Sequence, residues 1–81
     1  MLEKVGERIE VEVDFLEKRV VPRKFFWQNR VWEIKKIGLI HPSWQGRAKI
    51  YHFSVSDGVN FFRLSFNTDT LEWRLEEVYA G

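Results

Sequence analysis

The stretch that decides the fold is KIYHFSVSDGVNFFRLSFNTDTLEWRLEEV, residues 49–78. It contains two turn signals. Asp57-Gly58 is among the strongest short hairpin signals, because both residues accept the positive φ that a tight reversal needs. Asn67-Thr68-Asp69-Thr70 is a second polar turn between two apolar runs. Pairing Ser56 with Val59 sets Phe53 opposite Phe62 and Tyr51 opposite Leu64. Pairing Phe66 with Leu71 sets Leu64 opposite Trp73 and Phe62 opposite Leu75. Two turns assigned independently then give one apolar face: Tyr51, Phe53, Val55, Phe62, Leu64, Phe66, Leu71, Trp73 and Leu75. Such agreement between local and long-range pattern marks a sequence consistent with one structure.

Working outward from this meander, Glu7 to Phe15 alternates Ile9, Val11, Val13 and Phe15 against Glu10, Glu12 and Asp14, a strand with one buried face. Residues 16–22 read as a connection, with Pro22 barring a helix through it. In KFFWQNRVW, residues 24–32, Asn29 suits a tight turn between a strand at Lys24–Gln28 and one at Val31–Ile40. Alternation then puts Phe25, Trp27, Trp32 and Ile34 on one face and Phe26 and Val31 on the other. The third strand changes phase at Lys35-Lys36, where Ile37 and Leu39 take over the apolar positions, so a β-bulge is expected near Lys35–Lys36. HPSWQGR, residues 41–47, reads as a loop, with Pro42 and Gly46 as breakers. The expectation is a single all-β domain over 1–81. It has about six short antiparallel strands in a meander, curled into a small barrel or half-barrel because one greasy face must be covered.

Composition sets limits on function. At 81 residues without cysteine, the chain has neither disulfides nor thiolate metal sites. Its core must therefore come from its seven Phe, four Trp and two Tyr. No N-terminal apolar run is long enough for a signal peptide or a membrane span. The expectation is a soluble cytoplasmic protein without membrane contact. The net charge of +1 is unlike the strongly basic footprint of a dedicated nucleic-acid binder. It is unevenly spread, with net −4 over residues 1–17, +8 over 18–53 and −3 over 54–81.

Four segments carry a family resemblance: IEVEVD at 9–14, PRKFFWQNRVWEI at 22–34, YHFSV with DG and FFRL at 51–64, and LEWRLEEVY at 71–79. Together they resemble a small bacterial family known as a domain of unknown function. The shared pattern is an opening I-x-V strand, a Pro-x-x-Phe-x-Trp hairpin and a closing Trp-Arg-Leu strand, across about residues 8–79. Similar segments stand at the C-termini of Y-family-polymerase-like repair proteins. The chain departs from the family at Asn29, where the turn usually has Gly, and in a shorter 41–47 connection. The resemblance implies the fold and, by analogy, a bias toward nucleic-acid processing. It implies no activity.

No chemistry-bearing motif points to catalysis. His41 with Ser43 and His52 with Ser54 offer nucleophile–base pairs, but no nucleophile elbow or phosphate loop accompanies them. Two histidines on separate segments make a poor metal site, and no cofactor is expected. Glu10, Glu12 and Asp14 read as solvated edge-strand charges, or as partners of the basic middle segment.

Two surfaces remain. On the second face of the last three strands, the register above places His52, Arg63 and Arg74 in one row with Phe61 one step along. An exposed aromatic beside guanidinium groups on an open sheet is a stacking platform for single-stranded nucleic acid. The bland alternative is a salt-bridged polar face. Lys24, Phe26, Lys35 and Lys36 would support the platform. The second surface is Phe26 and Val31, covered by the Trp44 loop or by another chain. Trp44 is then either a lid or the centre of a protein–protein or homodimer interface. The favoured reading is a non-catalytic module binding single-stranded nucleic acid weakly. The alternative is protein interaction or homodimerisation through the Trp44 loop and a sheet edge.

Overall fold

The computed structural model describes residues 1–80. Among them are seven strands and no helix: β1 (Leu2–Leu16), β2 (Arg19–Trp27), β3 (Arg30–Glu33), β4 (Lys36–Gln45), β5 (Ala48–Ser56), β6 (Phe61–Asn67) and β7 (Trp73–Tyr79). They form one antiparallel sheet in the order β3-β2-β1-β7-β6-β5-β4. β1 belongs to two arms. Its first part, Leu2 to Ile9, pairs with β7, and its second part, Glu10 to Leu16, pairs with β2. Gly6, at φ 67°, sits in the bulge interrupting the β7 pairing. The result is a five-strand arm (β1, β7, β6, β5, β4) and a three-strand arm (β1, β2, β3) folded toward each other.

The core lies between the arms. Phe25 meets Phe62 edge-on at 5.1 Å, and Trp32 meets the same ring at 5.5 Å. Phe53 and Phe66 flank Trp73 at 5.3 and 4.7 Å. Leu64 and Leu75 are wholly enclosed. Buried indole N–H groups need acceptors. Trp32 Nε1 donates to the Trp27 carbonyl (3.0 Å) and Trp27 Nε1 to Glu7 Oε2 (3.2 Å). The faces assigned to Phe25, Trp27, Trp32 and Ile34 from alternation are those observed, and Phe26 and Val31 point outward as a cross-strand pair.

The half-barrel is not closed, because β3 and β4 share no ladder. The chain passes from one arm to the other at Ile34–Lys35. The Ile34 N–H donates to the Arg23 carbonyl on β2 (2.9 Å), and the next N–H, of Lys35, donates to the Ser56 carbonyl on β5 (2.8 Å). The phase change at Lys35–Lys36 is therefore this crossing and not the expected bulge. It divides the expected third strand in two and raises the count to seven. The bulges lie elsewhere, at Glu12/Val13, Lys4/Glu7, Ile37/Ile40 and Arg63/Leu64.

Two expected connections are strands. Glu17-Lys18, both at positive φ (49° and 66°), make a two-residue hairpin turn like that at Gln28-Asn29 (53° and 57°). Residues 19–22 thus belong to β2, and buried Pro22 sits where β3 no longer runs alongside. Residues 41–45 belong to β4, an edge strand, where Pro42 removes no needed donor.

The registers of the two closing hairpins differ by two residues from those expected: Val55 opposes Phe62, Phe53 opposes Leu64 and Phe66 opposes Trp73. The cause is turn length. Asp57 Oδ1 accepts the backbone N–H groups of Val59 (2.9 Å) and Asn60 (2.7 Å), so the loop spans 57–60 and not Asp57-Gly58 alone. A shift of two preserves every face, so the predicted apolar face survives except at Leu71. That residue lies exposed in the second turn at φ 63°. Phe15, expected inside, is also exposed.

Candidate nucleic-acid interface

The outward face of the five-strand arm is built in rows. At one end Lys36, Ser56, Phe61, Tyr79 and Leu2 stand opposite one another across β4, β5, β6, β7 and β1. The next row is Ser54, Arg63, Glu77 and Lys4. A third holds His41, His52, Ser65, Arg74 and Arg8. Arg63 is therefore not in the row of His52 and Arg74, as expected, but one row nearer the aromatic end, and the two arginines are not opposed.

Phe61 and Tyr79 are direct cross-strand neighbours, 58% and 52% exposed. Arg63 lies beside them, held by Glu77 at 3.3 Å. Lys36 has no ion-pair partner among the described residues. Lys36, Gly38, Ser54, Phe61, Arg63 and Tyr79 surround a depression of about 400 Å³. The sequence reading missed Tyr79, because unbroken alternation from Leu75 would place it inside. The bulge at Arg63/Leu64 turns Val78 inward and Tyr79 outward. The visible sign was the spacing of three between Leu75 and Val78.

The third row is a polar cluster. Ser43 Oγ and His52 Nε2 are 2.8 Å apart, His41 stacks on His52 at 4.9 Å, and Ser65 Oγ donates to Glu76 Oε2 (2.9 Å). The His52 pKa is lowered from its ordinary 6.5 by burial, and further by the charges of His41 and Arg63, with Glu76 opposing. Among the described residues His52 Nδ1 is buried without a partner, so none of their carboxylates orients the ring from that nitrogen as in a triad. Arg74 Nη1 donates to the Gly6 carbonyl (2.7 Å), which fixes it within the fold. Among the described residues no group of three or more His, Asp or Glu is placed to hold a metal ion.

The other candidate residues lie apart from this face. Glu10, Glu12 and Asp14 are on the second part of β1, which pairs with β2 alone and leaves its other side without a strand neighbour, and two of them also pair with the basic segment: Arg23–Asp14 at 2.7 Å and Lys24–Glu12 at 3.1 Å. Phe26 (48% exposed) and Val31 (53%) form a small open apolar patch bordered by Glu10, Glu12 and Lys24. Trp44 does not cover them. It is on the other arm, paired with Lys49 and 67% exposed. Lys35 is exposed at the crossing between arms.

No family model, curated protein or solved structure matches this chain. No helix among the described residues is long and apolar enough to cross a membrane.

Proposed function

We propose that the protein is a non-catalytic cytoplasmic module that binds single-stranded nucleic acid weakly on the outward face of its five-strand arm. The observation that supports this reading best is the exposed Phe61–Tyr79 pair. Two aromatics on adjacent strands, with Arg63 and Lys36 beside them, offer stacking surfaces for neighbouring bases and cations for their phosphates. Each stacked base contributes about 1–3 kcal/mol. Bound acids limit the charge contribution, since Glu77 already holds Arg63, so the affinity is modest and falls with salt. The family resemblance leans the same way, as analogy. A fluorescence titration with a single-stranded oligonucleotide at about 50 mM salt tests it. Wild type binds, and Phe61→Ala/Tyr79→Ala with an unchanged circular dichroism spectrum does not. Absence of wild-type binding, or affinity indifferent to salt, rejects the reading.

A second reading has its own support. β4 is an edge strand that exposes Leu39, Ile40 and Trp44, and such an edge is a template for pairing with another chain. Sedimentation equilibrium decides it: a dimer dissociated by Trp44→Ala favours this reading, and a strict monomer rejects its homodimer form.

A further inference from the structure

The two arms meet at Ile34–Lys35 and separate beyond it. β3 ends at Glu33, so residues 19–22 of β2 have no neighbour on that side, and β4 opposite them pairs only with β5. Between the two strands lies a cleft of about 560 Å³, within the ~300–1,000 Å³ typical of small-ligand sites. Its apolar lining includes Val20, Ile37, Ile40 and Tyr51, and it reaches Phe53, a core residue only 1% exposed. The cleft is thus walled by half-buried and exposed apolar side chains, with the core closed beneath it at Phe53.

The charge at this cleft has one sign. Among the described residues Lys18, Arg19 and Arg23 line it, and no carboxylate does. Arg23 is already paired with Asp14. Lys18 and Arg19 have no ion-pair partner among the described residues. An apolar floor with two unpaired cations at its border calls for an amphiphile with an anionic head. A peptide strand fits less well, because Pro22 leaves the β2 edge without a donor at that position.

We infer that the open seam between β2 and β4 binds a single-chain amphiphilic carboxylate, with its tail on Val20, Ile37, Ile40 and Tyr51 and its head at Lys18 and Arg19. This site is separate from the Phe61–Tyr79 platform and does not depend on it. The probe is dodecanoate, titrated calorimetrically below its micelle concentration. Saturable one-to-one binding is expected. It weakens by about tenfold or more in Lys18→Glu/Arg19→Glu and with dodecanol, whose head is neutral. Ile40→Glu, at an exposed position, puts a carboxylate in the cleft and weakens binding as well. Arg47→Glu, an equal type of charge reversal outside the cleft, leaves it unchanged. Circular dichroism checks that each variant is folded. No saturable binding overturns the inference. Equal loss in Arg47→Glu and the double variant does too, as does seam binding by an alternating Val/Glu peptide without binding of dodecanoate.

Discussion

The two arms present the same local pattern to solvent: an outward Phe with a cation nearby. On the three-strand arm it is Phe26 near Lys24, and on the five-strand arm Phe61 near Arg63. Their surroundings differ. Phe26 faces Val31 on one side and Glu10 on the other, and Lys24 is paired with Glu12. Phe61 faces Tyr79, with the unpaired Lys36 in the same row. A one-strand motif is ambiguous, and the residues one and two strands away decide whether it is a patch or a platform.

The comparison is broken most severely where the arms join. Phe25→Ala removes the ring that stacks on Trp32 and meets Phe62 and should cost about 3–5 kcal/mol in urea unfolding. A loss below ~1 kcal/mol would mean that the arms are not held by this contact. On the platform, Phe61→Ala or Tyr79→Ala should each weaken oligonucleotide binding by about 1–3 kcal/mol while changing stability little. Phe26→Ala should leave binding untouched. If Phe26→Ala and Phe61→Ala have equal effects, the distinction between the arms fails. Asp57→Ala, which removes the acceptor for two turn N–H groups, should destabilise by about 1–2 kcal/mol. Lys36→Ala should lower the slope of log affinity against log salt by about 1.

The smallest effect is in pH. The folded-state pKa of His52 lies below 6.5, so folding favours the neutral ring. Its contribution to stability is complete above the unfolded value and is lost as pH falls through the folded one. His52→Gln should therefore flatten the stability–pH curve below about pH 6.5, measured by urea unfolding at several pH values. An unchanged curve would remove the electrostatic account of the His41–His52–Ser65 row.

The faces of the strands were legible because alternation survives any even shift in register, as at Phe53 and Leu64. What alternation could not give was long-range connectivity. Pairing of the first strand with the last makes the Leu2–Ile9 part of β1 interior, while Glu10, Glu12 and Asp14 lie on the part that pairs with β2 alone, where Glu12 and Asp14 meet Lys24 and Arg23. The passage between arms at Ile34–Lys35 looks locally like a bulge, since both reset the pleat. Bulges on paired strands are quieter still, and the one at Arg63/Leu64 hid Tyr79, half of the candidate site. The turn at Glu17-Lys18 lacks Gly and Asn, so its positive φ values left no mark in the sequence.

The most direct test of the account compares two strands of equal length and charge, one with bases and one abasic, titrated into the protein at about 50 mM salt. Stacking on Phe61 and Tyr79 predicts that the base-bearing strand binds about tenfold or more tightly, an advantage lost in Phe61→Ala/Tyr79→Ala. Equal affinity for the two strands, or no binding of either, would contradict it.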